Sequence, residues 1–147
     1  MIGRGIQMGK RTPEPYAPCI LVADDDAQIR TLFRRVLQEA GYFVSEARNG
    51  KEALLALSDQ FFELMILDLS MPDMDGFEVL KLARTELTKL KVLVISGFMR
   101  GPLLEAATLC GATAVLQKPL SPDSLLTTVC RMLDAHEARA SFGSYSH

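Results

Sequence analysis

The chain has 147 residues, 48% of them hydrophobic and 23% charged, with a formal net charge of −2. That is the size of one ordinary domain, able to bury roughly 68–70% of its unfolded surface without a disulfide or metal staple. The near-neutral balance gives no electrostatic support for general nucleic-acid binding, and no apolar run approaches the ~18 residues of a membrane span. The three cysteines, Cys19, Cys110 and Cys130, have unrelated spacings and apolar surroundings. An odd count without a C-x-x-C pair predicts buried free thiols in a reducing compartment. The N-terminus is basic but lacks the apolar core of a signal peptide. Together these features predict a cytoplasmic protein.

In chain order, residues 1–18 mix Arg4, Lys10 and Arg11 with prolines and glycines, the composition of a flexible tail. Cys19 to Ala23 is a short apolar strand ended by Asp24-Asp25-Asp26. Ile29, Leu32, Phe33, Val36, Leu37 and Ala40 recur at helical spacing, and Gly41 closes that helix as a C′ residue. Tyr42 to Ala47 is a second strand, Asn49-Gly50 a turn, and Lys51 to Asp59 a helix with Ala53, Leu54 and Leu57 inward. Leu64 to Leu67 is an apolar run of a kind buried on both sheet faces, stopped by Asp68. Phe77 to Glu86 is a third helix, and Val92 to Ile95 a fourth strand ended by Ser96-Gly97. Pro102 suits the first turn of a helix ending near Gly111, and Thr113 to Leu116 is a fifth strand ended by Lys118-Pro119. Ser121 caps a last helix, with Pro122 at its first position, that carries Leu125, Leu126, Val129, Met132 and Leu133 to about Ala138. Residues 139–147 are expected to form a tail.

Apolar strands alternating with helices predict an α/β domain with a five-stranded parallel sheet covered on both faces. Ligands of such sheets bind outside the carboxyl ends of the strands. That edge collects Asp24 and Asp25, Asp68, Ser96 and Lys118. Carboxylates gathered together repel one another, and a hard dication such as Mg²⁺ resolves the conflict while keeping sites for water and phosphate oxygens. With Lys118 as a second positive group, the set suits phosphoryl transfer to Asp68, Ser96 donating to the incoming oxygens. Asp26 is expected mainly to cap a helix, and Asp73 and Asp75 to shape turns.

These motifs resemble the receiver domain of bacterial response regulators. The matching residues are Asp24-Asp25 after Ile20-Leu-Val-Ala23, Asp68 in the run D-L-S-M-P-D-M-D-G, Ser96-Gly97 after Val92-Leu-Val-Ile95, and Lys118-Pro119 after Gly111-Ala-Thr-Ala-Val-Leu-Gln117. Each piece alone is weak; all of them together in the right order are specific. The resemblance covers residues 19–138. It implies a doubly wound, flavodoxin-like sheet of order 2-1-3-4-5, and a signalling phosphoacceptor rather than a turnover enzyme. It implies that Asp68 takes a phosphoryl group from the phosphohistidine of a sensor histidine kinase or phosphotransfer protein. Mg²⁺ would be held by Asp25, Asp68 and the backbone carbonyl of Ser70, with Asp24 acting through water. Ser96, Gly97 and Lys118 would contact the phosphoryl group, and the Lys118–Pro119 bond would be cis. A downstream protein would read the face formed by the fourth helix, fifth strand and fifth helix, with no direct nucleic-acid or membrane contact.

Two positions bear on how such a switch works. Val115 stands three residues before the lysine, where many receivers carry a swinging Tyr or Phe, so the signal is expected to pass through the Ser96 loop and the fourth helix. Phe98, two residues after Ser96, is expected to lie over the phosphoryl pocket and slow the approach of water. The rival reading is a receiver-like interaction module that works without phosphate. A flavin protein or small enzyme on the same fold lacks a Gly-rich phosphate loop, and a D-x-D phosphatase lacks its second acid, since Ser70 stands there. The expected setting is a stand-alone receiver or one cut from a longer protein.

Overall fold

A computed structural model describes residues 17–69, 71, 76–97 and 101–145, the side chains of 101, 103, 104 and 135–145 excepted. Five strands, β1 (Cys19–Ala23), β2 (Phe43–Ala47), β3 (Leu64–Asp68), β4 (Lys91–Ser96) and β5 (Ala114–Gln117), pair in parallel in the order 2-1-3-4-5. They alternate with α1 (Ala27–Glu39), α2 (Gly50–Asp59), α3 (Gly76–Glu86), α4 (Gly101–Leu109) and α5 (Pro122–Tyr145). The flavodoxin-like expectation holds.

The period-2 geometry of a strand explains how apolar runs serve two cores. Leu21, Ala23, Met65, Leu67, Val92 and Val94 point to one layer, closed by Ala53 and Leu57 of α2, Val79, Leu80 and Ala83 of α3, and Ala107 of α4. Ile20, Val22, Leu64, Ile66, Leu93 and Ile95 point to the other, closed by Phe33 and Leu37 of α1 and by Leu125, Val129, Met132 and Leu133 of α5. Every residue of β3 is buried. Each fully buried Leu or Ile contributes about 1.5–3 kcal/mol, so the central strands are the most strongly fixed part of the sheet.

Helix ends follow their local chemistry. Asp26 caps α1 by accepting from the amides of Gln28 and Ile29, and Ser121 Oγ accepts from the Ser124 amide at the start of α5. Gly41 and Gly111 adopt φ of 102° and 110°. They close α1 and α4 with paired hydrogen bonds, Gly41 N to Gln38 O and Tyr42 N to Leu37 O, and Gly111 N to Thr108 O and Ala112 N to Ala107 O. That pattern requires a left-handed residue at the first position past the cap.

Several boundaries differ from expectation for identifiable reasons. Tyr42 is not in β2, because its amide is committed to the α1 cap. Asn49 is not a turn residue but the N-cap of α2, accepting from the Glu52 amide, and Gly50 is already helical. Thr113 precedes β5; its amide and hydroxyl both bond the main chain of Val92. The last helix does not stop near Ala138 but continues to Tyr145, through residues 137–142 that hold no glycine or proline. Leu32, expected inside, is 38% exposed. The three cysteines are free, as expected, but half-buried rather than buried. No helix among the described residues is long and apolar enough to cross a membrane. The predicted tail at residues 1–18 lies outside the described residues except for its last two positions.

The close approach of α3 to the end of β3 depends on Gly76. A Cβ there would strike Leu69 Cα and sit 2.9 Å from the carbonyl oxygen of Asp68. Both obstacles are main chain and cannot rotate away. Gly97, in contrast, has nothing within 4 Å of a Cβ. Gly76→Ala is expected to lower stability by about 1–3 kcal/mol through overpacking, which outweighs a helix-propensity gain of at most about 1 kcal/mol. Gly97→Ala is expected to leave stability unchanged or raise it by up to about 1 kcal/mol. Urea unfolding midpoints of the two variants decide; equal effects would remove the steric role given to Gly76.

Candidate functional site

The register of the sheet places the site. Ala23 of β1 pairs with Leu67 of β3, so Asp24 and Asp68 are the next residues on adjacent strands. Asp68 pairs with Ile95 of β4, putting Ser96 one step farther along. Ser96 pairs with Gln117 of β5, which puts Lys118 just past that strand's end. The reversal of strand order between β1 and β3 leaves this edge open, where ligands of doubly wound sheets bind.

The acids are held differently. Asp24 is fully buried and Asp68 is 3% exposed, whereas Asp25 is exposed. One carboxylate oxygen from each of the three lies within 4.8 Å of the others. Lys118 Nζ stands 2.9 Å from Asp24 Oδ2 and 3.4 Å from Asp68 Oδ2. Its contact with Asp24 is an ion pair without the alignment of a hydrogen bond. Asp24 Oδ1 accepts from the Asp26 amide at 2.9 Å, and the Asp24 amide donates to Ala47 O at 3.1 Å.

Electrostatics follow from this crowding. Burial pushes the Asp24 carboxyl above its ordinary range; the Asp26 amide and Lys118 pull it down, and the neighbouring Asp68 pushes it up again. Burial alone would lower the Lys118 pKa, but the negative charges of Asp24 and Asp68 at close range outweigh it, and the net shift is upward. The ammonium is thus firmly charged, yet it is one cation among three acids.

That donor set fits a hard dication. It is all oxygen, negatively charged beyond what Lys118 offsets, and close enough for shared coordination through Asp24, Asp25 and Asp68.

The edge therefore brings together four expected residues: Asp24, Asp25, Asp68 and Lys118. Ser96, 3% exposed, ends β4, and its carbonyl accepts from the Lys118 amide at 3.0 Å. Gly97 is exposed in the turn that follows. The Lys118–Pro119 bond is cis, as expected. Ser70 and Phe98 lie outside the described residues, as do Asp73 and Asp75. Sequence reading missed Arg30 of α1, whose Nη1 donates to the Asp24 carbonyl at 2.8 Å. No local signal marked it, since its partners lie on β2 and at the end of β1.

Comparison with known proteins agrees with this geometry. A family profile described as the response regulator receiver domain matches residues 20–130. The chain is 34% identical over 116 residues to the response regulator receiver protein CpdR of Brucella abortus, covering 79% of this chain and 97% of CpdR. It is 36% identical over 118 residues to the sensor protein EvgS of Escherichia coli, covering 80% of this chain but only 10% of EvgS. The chain thus spans about a tenth of the length of the EvgS sensors it matches. Among solved structures it superposes on a CheY-like receiver domain protein from Methanospirillum hungatei with a TM-score of 0.80 at 30% identity, covering 84% and 98% of the two chains. The chemotaxis regulator CheY4 of Vibrio cholerae gives 0.75 at 33%, covering 78% and 98%. The acid-and-lysine edge, the 2-1-3-4-5 sheet and these matches have one common meaning: the chain belongs to the response regulator receiver domains of two-component systems.

Proposed function

We propose that Asp68 is the phosphoacceptor of this receiver, within a unit spanning residues 19–138. The observation that carries the reading is the placement of Lys118 Nζ between Asp24 and Asp68, beside a third carboxylate. A buried carboxylate at the end of a rigid central strand is a nucleophile held in place, and the surrounding charges suit the developing negative charge of phosphoryl transfer.

One Asp68 oxygen forms a bond to phosphorus while the phosphorus–nitrogen bond of a kinase phosphohistidine breaks. The imidazole leaves with that electron pair and takes up a proton. Lys118 stays protonated throughout and shifts its pairing toward the phosphoryl oxygens. The Ser96 hydroxyl and the Gly97 amide are the donors proposed for the same oxygens. Asp25, Asp68 and the Ser70 carbonyl would hold Mg²⁺, with Asp24 acting through water, and the bound ion would supply the remaining positive charge. The donor is a sensor histidine kinase or a phosphotransfer protein, in the cytoplasm. The outcome is a change in the surface shown to a downstream protein, by a shift between existing states. The face of α4, β5 and α5 suits that contact, since Leu109 at the end of α4 is 86% exposed.

Incubation with acetyl phosphate and Mg²⁺ is expected to label the protein at one site, and Asp68→Asn is expected to abolish the label. Mass spectrometry of the intact chain reads both; label retained by the variant would move the phosphoacceptor elsewhere.

The buried acid also predicts a pH dependence in metal-free buffer. Asp24 is held above its unfolded value of about 3.9, so the folded state takes up its proton more readily than the unfolded state. Its contribution to stability is fully present below about pH 4 and is lost as pH rises through the folded value. Lys118, raised above its ordinary value, keeps its contribution until alkaline pH. Urea midpoints of the wild type are therefore expected to carry a component that falls from about pH 4 upward, and Asp24→Asn is expected to lose it. Parallel pH profiles for the two proteins would refute this origin.

A further inference from the structure

Phosphoryl transfer as described makes no use of the two arginines on the β2 side of α1. Arg30 and Arg34 are one helical turn apart and share one partner. Glu46 of β2 presents Oε1 to Arg30 Nε at 3.0 Å and Oε2 to Arg34 Nη1 at 2.7 Å. Arg30 then reaches past Glu46, and its Nη1 donates to the Asp24 carbonyl at 2.8 Å. The Arg30 side chain is only 11% exposed. A charge-assisted hydrogen bond sheltered in this way is stronger than a neutral one and fixes direction as well as distance.

The consequence falls on Asp24. Its amide is held by Ala47 O, its carbonyl by Arg30 and its Oδ1 by the Asp26 amide. Oδ2 is left facing Lys118. Glu46 sets the plane of the Arg30 guanidinium, and Arg34 anchors Glu46. A chain of contacts thus runs from the outer face of α1 through the edge strand to the main chain of a buried acid in the cluster.

We infer that Arg30, oriented by Glu46, is a positioning residue for the acid cluster: it fixes the Asp24 main chain and so presets the Asp24 carboxylate for a divalent cation. Outer partners of this kind commonly matter to metal affinity without touching the ion. The inference rests on the reading of Asp24, Asp25 and Asp68 as a metal site. A plain helix-to-sheet ion pair would lower stability when broken but would not act on metal binding through Asp24.

A double-mutant cycle separates the two. MgCl₂ is titrated calorimetrically into wild type, Arg30→Met, Asp24→Asn and the double variant, with unfolding measured in parallel. Arg30→Met is expected to weaken Mg²⁺ binding on the order of tenfold. Asp24→Asn is expected to weaken it at least as much, and the double variant should match Asp24→Asn within about twofold, because Arg30 acts through that carboxylate. If Asp24→Asn binds Mg²⁺ like wild type, the metal-site reading itself fails. If Asp24→Asn weakens binding while Arg30→Met does not, or if the two losses multiply, the role given to Arg30 fails. Should Arg30→Met not fold, Glu46→Gln keeps both arginines; it is expected to weaken binding by about threefold, an effect absent in the Asp24→Asn background, and wild-type affinity in Glu46→Gln would overturn the inference.

Discussion

Two carboxylates withdrawn from water at one edge of a sheet set the terms for the rest of this molecule. An uncompensated buried charge costs several kcal/mol, so Asp24 and Asp68 demand a cation within reach. Lys118 meets that demand only because β5 ends beside β4 in a fixed register, and because β3 lies between β1 and β4. The alternation of apolar side chains along β1, β3 and β4 is what holds that register. A one-residue slip of any central strand would exchange the two cores and turn the strand-end acid away from the site. The chemistry at the edge and the packing beneath it are one constraint.

The compensation is incomplete, and that incompleteness gives the site its capacity to act. Lys118 divides its ammonium between two acids, at 2.9 and 3.4 Å, while Asp25 adds a third carboxylate. A site fully neutralised by its own residues would gain little from binding a cation or a phosphoryl group. Here the remaining negative charge favours a dication, and in the proposed transfer the mobile point charge of a lysine would follow the phosphoryl oxygens where a rigid guanidinium could not do so as freely. Gly76 plays the complementary part in packing. It lets α3 start against the main chain of Asp68 and Leu69, where a side chain would not fit.

Much of this was legible in the sequence because it is local. Runs such as Leu64 to Asp68 carry their two-sided burial in their composition, and Asp26, Gly41 and Ser121 mark helix ends by their own hydrogen-bonding or backbone habits. The acids and Lys118 were legible as a set because each lies within two residues of the end of an apolar run, and parallel strands align their ends. The misreadings were also local, where two roles competed. Tyr42 has strand propensity but spends its amide on a helix cap. Asn49-Gly50 has the composition of a turn, yet its asparagine caps a helix. Glu46 and Arg30 were invisible for a different reason. They are 16 residues apart, on different elements, and nothing in the spacing of either says that one guanidinium bridges a strand carboxylate and a third segment's carbonyl. Pairings of that kind belong to tertiary geometry.

Val115 narrows how the proposed switch can reach its output face. It lies three residues before Lys118, half-buried against the layer that contains Val94 and Ala107. A β-branched side chain is stiff at χ1 and too short to sweep between an inward and an outward position as a ring can. Side-chain rotation on β5 is therefore a poor carrier of the signal. The main chain offers a better one. The Lys118 amide is bonded to the Ser96 carbonyl at 3.0 Å, so the residue whose ammonium responds to charge at Asp68 is tied directly to the end of β4. Any displacement of Lys118 toward a phosphoryl group pulls on the strand end from which the chain runs on into α4. In the proposed switch, the coupling between the buried acid and the surface would follow from the same strand-end register that brings Asp24, Asp68 and Lys118 together.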